Sequence, residues 1–140
     1  MSLAFLETLF NAGLFILTWL VQLIIYPSFS YYQPSDLRRW HQQYMPRMSY
    51  VVLPLMLGQL ALVALTCYFS PNLYSSIALF IILVLWLMTF ILFVPIHRKI
   101  SNQQSTQRLL KQLVQFNWIR TLLWTYLFLG SLVNLLSHSY

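Results

Sequence analysis

The sequence contains very few acidic residues: Glu7 and Asp36 are the only carboxylates among 140 residues. Charged residues of both signs make up 7% of the chain, whereas hydrophobic residues make up 59%. A soluble domain needs more polar surface than this composition provides. The shortage of carboxylates also argues against two-carboxylate hydrolysis and against a carboxylate-bound di-metal centre. The composition therefore predicts an integral membrane protein.

Cysteine and glycine are also scarce. Cys67 is the single cysteine, which excludes a disulfide within the chain, and we interpret it as a small buried hydrophobic residue. The glycines, Gly13, Gly58 and Gly130, do not form the Gly-x3-Gly pattern of closely packed membrane helices. Whether the chain forms a homo-oligomer stays an open question, because no sequence motif supports one. Phosphate-binding, zinc-protease and serine-hydrolase motifs are absent from the sequence.

Four stretches are long and apolar enough to cross a bilayer, which requires about 20 residues. They lie at about residues 3–26, 50–69, 75–94 and 118–136. These stretches predict an all-α fold, a four-helix transmembrane bundle that forms a single domain over residues 1–140. The start of the chain lacks the basic region of a secretory signal peptide, so we expect the first span to be retained.

The basic residues give a formal net charge of +6, and their positions indicate topology rather than nucleic-acid binding. All of them lie in or beside the links that follow the first and third spans: Arg38, Arg39, Arg47, Arg98, Lys99, Arg108, Lys111 and Arg120. The positive-inside rule then predicts cytoplasmic links with both termini outside. We expect membrane lipids, and no nucleic acid, as partners of this charge. The predicted location is the inner membrane of a bacterium.

Both basic links contain helix signals. Ser35 followed by Asp36 predicts a short cytoplasmic amphipathic helix between spans one and two, after Pro27 has ended the first span. In the second link Ser105 is a candidate cap. The apolar spacing after it predicts that span four begins early, near Gln107, as a cytoplasmic extension.

Polar side chains recur along one stripe of the first span. They predict an inward face, whose members either bond to neighbouring helices or line a cavity: Glu7, Asn11, Thr18, Gln22 and Tyr26. Gln59 is the strong polar group near the middle of span two. Because an unpaired amide in hydrocarbon costs several kcal/mol, Gln59 needs a partner such as Gln22, a water molecule or a ligand.

The start of the fourth span carries the most distinctive pattern. Asn117, Arg120, Thr121 and Trp124 are spaced i, i+3, i+4 and i+7, so they share one helix face. Arg120 is costly against lipid and must reach headgroups or a polar partner. In span three, a stripe of Trp86, Thr89 and Phe93 leads to His97 at the same level of the membrane.

We therefore predict a polar pocket at the cytoplasmic end of the bundle. Its candidate catalytic residues are His97, Arg120, Asn117, His41 and Tyr26. Its candidate substrate-binding residues are Gln22, Gln59, Thr121, Trp124 and Tyr44. His138, in the tail, is assigned no role.

Three interpretations of this group of residues stay open. In the first, imidazoles and phenols perform acid/base or redox chemistry on an amphipathic aromatic substrate, and Arg120 holds an oxyanion. In the second, His41 and His97, or one of them with Met45 or Met48, bind haem iron or copper. No tight ligand spacing supports that reading. In the third, the residues only stabilise the bundle and function lies with a partner.

The sequence also carries a resemblance. The order Trp19-x2-Gln22-x3-Tyr26-Pro27, His41, Pro95-x-His97 and Asn117-Trp118-x-Arg120-Thr121-x2-Trp124 is similar to that of small four-span membrane proteins, mostly bacterial, which resemble the anthrone oxygenase-like family. The resemblance covers most of the chain. It implies a four-helix membrane fold and, from the fungal branch, oxidation of an anthrone to a quinone without an evident cofactor.

The resemblance further implies that His97, Asn117, Arg120 and Thr121 form a polar core, beside His41 and Tyr26. We therefore expect a membrane oxidoreductase or oxygenase-like protein that acts on or binds a lipophilic quinone-like or polycyclic aromatic molecule. The cofactor is unknown. We favour a site without a cofactor, and the alternative is haem or copper. The competing hypothesis is a non-catalytic membrane subunit or small-molecule binding protein.

Overall fold

The computed structural model describes residues 2–137, which form four long helices and no strand. Helix α1 is Leu3–Tyr31, α2 is Pro34–Phe69, α3 is Leu73–Ser101 and α4 is Gln107–Ser137. Each helix is long and apolar enough to cross a membrane, which confirms the predicted all-α fold with four candidate membrane spans. His138 lies outside the described residues. We call the end with links 32–33 and 102–106 the basic end, and the end with turn 70–72 the opposite end.

Side-chain caps define the starts of three helices. The Ser2 hydroxyl accepts a hydrogen bond from the backbone N–H of Phe5, and Asn72 forms a capping box with Ser75 at the start of α3. At the start of α4 the hydroxyl of Thr106 accepts from the backbone N–H of Leu109, at 3.1 Å. The predicted cap at Ser105 is therefore wrong by one residue, whereas the predicted early start at Gln107 is confirmed.

Helix α2 differs from the prediction. The expected short helix between spans one and two is not separate, because it continues into span two through Pro46 and Pro54. The helix begins at Pro34 and is not capped by Ser35. Proline suits this first position, since its fixed backbone angle is helical and its missing N–H would have had no partner. At 36 residues, α2 is about 54 Å long. It exceeds a hydrocarbon core of about 30 Å.

Helices α1 and α3 each contain a π-helical turn just before a proline. In α1 the turn is Val21–Ile25, and the backbone N–H of Tyr26 bonds to the carbonyl five residues earlier, at Val21. A π-helical turn holds one extra residue, so the following residues are rotated by about 100° relative to a regular helix. Pro27 therefore does not end the helix as predicted. The chain continues helical through a final 3₁₀ turn, Phe29–Tyr31.

The second π-helical turn, Thr89–Phe93, precedes Pro95 in the same manner, and the N–H of Val94 bonds to the carbonyl of Thr89. His97 follows two residues after that proline. The paired irregularities thus set the directions of the side chains that follow them, Tyr26 in α1 and His97 in α3.

Helix α1 packs against both α2 and α4, and its polar stripe faces inward as predicted. Each stripe residue is at most 5% exposed: Glu7, Asn11, Thr18, Gln22 and Tyr26. One apolar cluster fills the basic end around Phe29, Phe93 and Leu113, and a second fills the opposite half around Leu14 and Trp124. The outer faces of all four helices expose leucine, isoleucine and phenylalanine, as expected of surfaces against lipid.

Candidate functional site

A cavity of about 270 Å³ lies inside the bundle, and side chains from all four helices line it. Most of its wall is apolar. Three of the lining residues are also on the outer surface: Leu53 of α2 is 45% exposed, and Phe90 and Val94 of α3 are 61% and 38% exposed. The cavity therefore opens sideways, between α2 and α3, on a surface that faces lipid.

Arg120 contributes a buried positive charge to this cavity, with 8% of the residue exposed. Its guanidinium carbon lies 4.2 Å from the ring centre of Phe93 and 4.8 Å from that of Trp124, so two aromatic faces contact the cation. The guanidinium also interacts with the hydroxyl of Tyr26.

No carboxylate balances that charge within residues 2–137. Glu7 accepts a hydrogen bond from Thr66 near the opposite end, and Asp36 is exposed in the first turn of α2. Aromatic faces and a phenol are weaker partners for a buried cation than an anion is. Arg120 is therefore a desolvated cation that lacks a counter-ion of its own.

A chain of hydrogen bonds leads from the cavity to the basic end. The Tyr26 hydroxyl is 3.0 Å from Nε2 of His97. Nδ1 of His97 is 2.8 Å from Nε2 of His41, and Nδ1 of His41 is 2.7 Å from the hydroxyl of Ser101. Tyr26 and His97 line the cavity, whereas His41 lies behind them and is fully buried. We call these four residues the relay.

The same contacts bear on metal binding. All ring nitrogens of His41 and His97 are engaged in hydrogen bonds, so a metal ion would have to displace one of these partners. Met45 and Met48 do line the same cavity as His97. Nevertheless, no group of three or more His, Cys, Asp or Glu side chains within residues 2–137 could hold a metal ion. Haem or copper binding by either histidine would require one of these hydrogen bonds to break.

Three buried polar atoms of the cavity-lining residues have no hydrogen-bond partner in the described part of the chain. They are Oδ1 of Asn117, Nε of Arg120 and Nε1 of Trp86. Buried polar atoms in folded proteins are nearly always paired, with protein, water or a ligand. The lining residues thus contain two donors and one acceptor that are buried and unpaired, in a wall that is mostly apolar.

Residues behind the wall hold Asn117 in place. Its Nδ2 donates to Oε1 of Gln22 at 2.9 Å, and its backbone carbonyl accepts from the hydroxyl of Thr121 at 2.8 Å. Gln22 also donates to the carbonyl of Val114, at 3.4 Å. Because the amide nitrogen of Asn117 is used in this way, its amide oxygen is the atom left without a partner.

Gln59 plays a similar part for Trp124. Nε2 of Gln59 donates to Oδ1 of Asn11 at 2.6 Å, and its Oε1 accepts from Nε1 of Trp124 at 3.3 Å. Of the three kinds of partner considered for Gln59, a neighbouring side chain is confirmed, but it is not Gln22, which bonds to α4 instead. Gln59 therefore orients the indole ring on which the Arg120 guanidinium rests.

All the predicted site residues are buried, and they divide into two layers. The lining layer contains Tyr26, Tyr44, His97, Asn117, Arg120 and Trp124. The layer behind it contains His41, Gln22, Thr121 and Gln59. Sequence reasoning missed Ser101 as the end of the relay. The spacing in the sequence could have indicated it, because Ser101 lies four residues after His97, just as His97 lies four residues after Phe93.

Comparison with known proteins adds no identification. No family model, curated protein or solved structure matches this chain. The resemblance to the anthrone oxygenase-like family stays a prediction.

Proposed function

We propose that this protein is a membrane oxidoreductase that binds a lipophilic quinone-like or polycyclic aromatic molecule in the cavity beside Arg120. The observation that carries the proposal is a buried cation without a counter-ion on the wall of an apolar cavity that opens toward lipid. A buried charge is costly unless it is paired. A ligand oxygen that bears negative charge would supply the missing partner.

The size and polarity of the cavity support an aromatic ligand. A cavity of about 150 Å³ holds benzene, so the cavity described above admits about two fused rings. A third ring or an alkyl chain would occupy the opening between Leu53 and Phe90. The unpaired atoms of Asn117, Arg120 and Trp86 suit oxygen substituents on those rings. An oxygenated aromatic molecule that dissolves in the bilayer satisfies each of these requirements.

The proposed chemistry begins with loss of a proton from the bound molecule, with Tyr26 and His97 as the acceptor pair. Arg120 stabilises the resulting oxyanion, which is richer in electrons than the neutral molecule. Molecular oxygen is the oxidant. For an anthrone-type substrate, a CH₂ group becomes a carbonyl: one oxygen atom of O₂ enters the product, and the other leaves as water with the two hydrogens.

We also propose that the basic end faces the cytoplasm of a bacterium, with the chain in the inner membrane. The support is the position of the charges, because Arg38, Arg98, Lys99 and Arg108 all lie close to links 32–33 and 102–106.

The competing function is binding without turnover, by a carrier or a non-catalytic membrane subunit. The observation that favours it is the complete pairing of both histidines, which lets the relay act as a purely structural contact between α1, α2 and α3. A binding protein would take up the same molecules but consume no oxygen.

Anthrone tests the proposal. Purified protein in lipid nanodiscs is titrated anaerobically with anthrone, and affinity is followed by quenching of tryptophan fluorescence. We expect Arg120→Leu to weaken binding at least about tenfold, equivalent to about 1.4 kcal/mol, because the oxyanion loses its partner. Thermal stability should be retained, since the substitution removes a buried unpaired charge. The control is Arg108→Leu, which changes an exposed arginine of the same helix.

Admission of air then separates the two functions. Oxygen uptake above the rate in protein-free nanodiscs supports the oxidoreductase, and tight binding without uptake supports the binding protein. Unchanged affinity in Arg120→Leu would contradict a site built around this arginine.

A further inference from the structure

The relay connects two different environments. At its inner end, Tyr26 lines the cavity and interacts with Arg120. At its outer end, Ser101 is half-buried and is followed by exposed residues 102–104. Between these ends the two imidazoles are buried, with His41 0% and His97 7% exposed. The relay is thus a path of hydrogen bonds, shielded from lipid, between the cavity and the aqueous surface at the basic end.

Each link of the relay is short enough to pass a proton. The three hydrogen bonds measure 3.0, 2.8 and 2.7 Å. A neutral imidazole has one donor and one acceptor nitrogen, so both rings can be oriented in the same direction. In that state Tyr26 donates to His97, His97 donates to His41, and His41 donates to Ser101. If donor and acceptor exchange roles in every hydrogen bond, the relay has the opposite orientation, and its heavy atoms keep their positions.

We infer that the relay carries the proton of the bound molecule from the cavity to water at Ser101, so that a lipophilic phenol or enol enters neutral and is held as an oxyanion against Arg120. This inference rests on the proposed function and deepens it, because it names the chemical class of the ligand. A molecule with an ionisable hydroxyl is required, and a quinone or ether without one cannot use the relay.

The transfer balances in protons and charge. The ligand hydroxyl gives its proton to the oxygen of Tyr26 as the Tyr26 proton moves to Nε2 of His97. The Nδ1 proton of His97 moves to His41, the Nδ1 proton of His41 moves to Ser101, and the Ser101 proton leaves to water. The ligand becomes an anion paired with Arg120, and no residue of the relay changes its charge. One transfer leaves both imidazoles in the opposite tautomer, so a second transfer requires both tautomers and both hydroxyl orientations to be reset.

The location of His41 makes the inference testable. His41 does not line the cavity, so a substitution there interrupts the relay without removing a group that contacts the ligand. His41→Phe replaces the ring with one of similar shape that cannot transfer a proton. Ser101→Ala interrupts the outer end of the relay. Because Ser101 is half-buried, we expect this substitution to disturb folding less than one at a fully buried residue. The matched control is Ser28→Ala, whose hydroxyl bonds only within α1, to the carbonyl of Ile25.

The probe is 1-naphthol, a two-ring phenol that is neutral in water at pH near neutrality and absorbs at longer wavelength once ionised. It is mixed with protein in nanodiscs in weakly buffered solution that contains a pH-indicator dye. For wild type and Ser28→Ala we expect the naphtholate spectrum and release of about one proton per bound molecule. For His41→Phe and Ser101→Ala we expect proton release to slow at least about tenfold. The methyl ether of 1-naphthol should release none.

The outcomes separate the inference from the proposed function. If wild-type protein binds 1-naphthol in its neutral form, the relay inference fails while the proposed binding site stands. If both relay variants release the proton at the wild-type rate, the inference also fails. Absence of binding to wild type, together with absence of anthrone binding, would overturn both.

Discussion

At the scale of single residues, the interior contains two kinds of polar side chain. Those around Gln59 pair with one another: its amide joins Asn11 of α1 to Trp124 of α4. Those around the cavity leave atoms unpaired on Asn117 and Arg120. The paired group stabilises the bundle, and the unpaired group lies beside the cavity in which we propose that a ligand binds.

The Gln59 contacts give a prediction about stability. Gln59→Leu keeps the approximate volume of the side chain but removes both hydrogen bonds and leaves Asn11 and Trp124 without these partners. Interhelical hydrogen bonds in membranes contribute about 0.6 kcal/mol each on average, so we expect a loss of about 1–2 kcal/mol. The measurement is reversible unfolding in mixed micelles.

A surface glutamine supplies the comparison. Gln115→Leu changes an exposed residue of α4 and should alter the free energy of unfolding by less than about 0.5 kcal/mol. Equal effects of the two substitutions would show that the buried amide does not stabilise the bundle.

At the scale of helices, irregular backbone positions the site. The π-helical turns in α1 and α3 rotate Tyr26 and His97 relative to the residues before them, and both turns stand next to prolines. A second local feature is the contact between α1 and α2, where Gly58 faces the ring of Phe10. The glycine contact depends on how closely α1 and α2 approach each other.

The glycine contact predicts an asymmetry between two alanine substitutions. A methyl group at Gly58 would overlap the Phe10 ring, whereas one at Gly13 would lie in ordinary contact, 3.4 Å from Leu55. We expect Gly58→Ala to destabilise the protein by about 1–3 kcal/mol through overpacking. Gly13→Ala should be neutral or slightly stabilising, since alanine favours helix. Thermal unfolding in nanodiscs measures both.

A double variant checks the cause. Phe10→Ala combined with Gly58→Ala should recover part of the loss, because the smaller side chain makes room for the new methyl group. A double variant that shows the plain sum of both losses would exclude this contact as the reason.

At the scale of the whole molecule, the cavity and the relay lead to two different environments. The cavity opens between α2 and α3 toward lipid, while the relay leads to the basic end and water. In the proposed function, the ligand enters from the bilayer and its proton leaves to the aqueous phase, so the two use separate paths. The direction of proton release depends on which side of the membrane the basic end faces.

Single-cysteine variants determine that side. In a Cys67→Ser background, Ser70→Cys places a thiol in the turn of the opposite end, and Gln104→Cys places one in the link of the basic end; both positions are exposed. We expect a membrane-impermeant maleimide to label Ser70→Cys in intact cells and Gln104→Cys only after lysis. The reverse pattern would place the basic end outside and the proton exit with it.

Much of the site was visible in the sequence because helical spacing is a local property. The shared face of Asn117, Arg120 and Trp124 followed from intervals of three and four residues, and the structure keeps it. The burial of the α1 stripe followed in the same way. The partner of Gln59 could not be predicted in this way, because it depends on how two helices are rotated and shifted along their axes relative to each other.

The sequence by itself determined four membrane-crossing helices, an inward polar stripe and the residue types of the site, since hydropathy and helical periodicity are encoded residue by residue. Tertiary structure alone decided that α2 is continuous, that His41 and His97 bond to each other, and that no carboxylate side chain of residues 2–137 pairs with Arg120. The physical reason is that these facts depend on π-helical turns, on helix starts and on atoms left unpaired after packing, and each of these is set only when all four helices are in place.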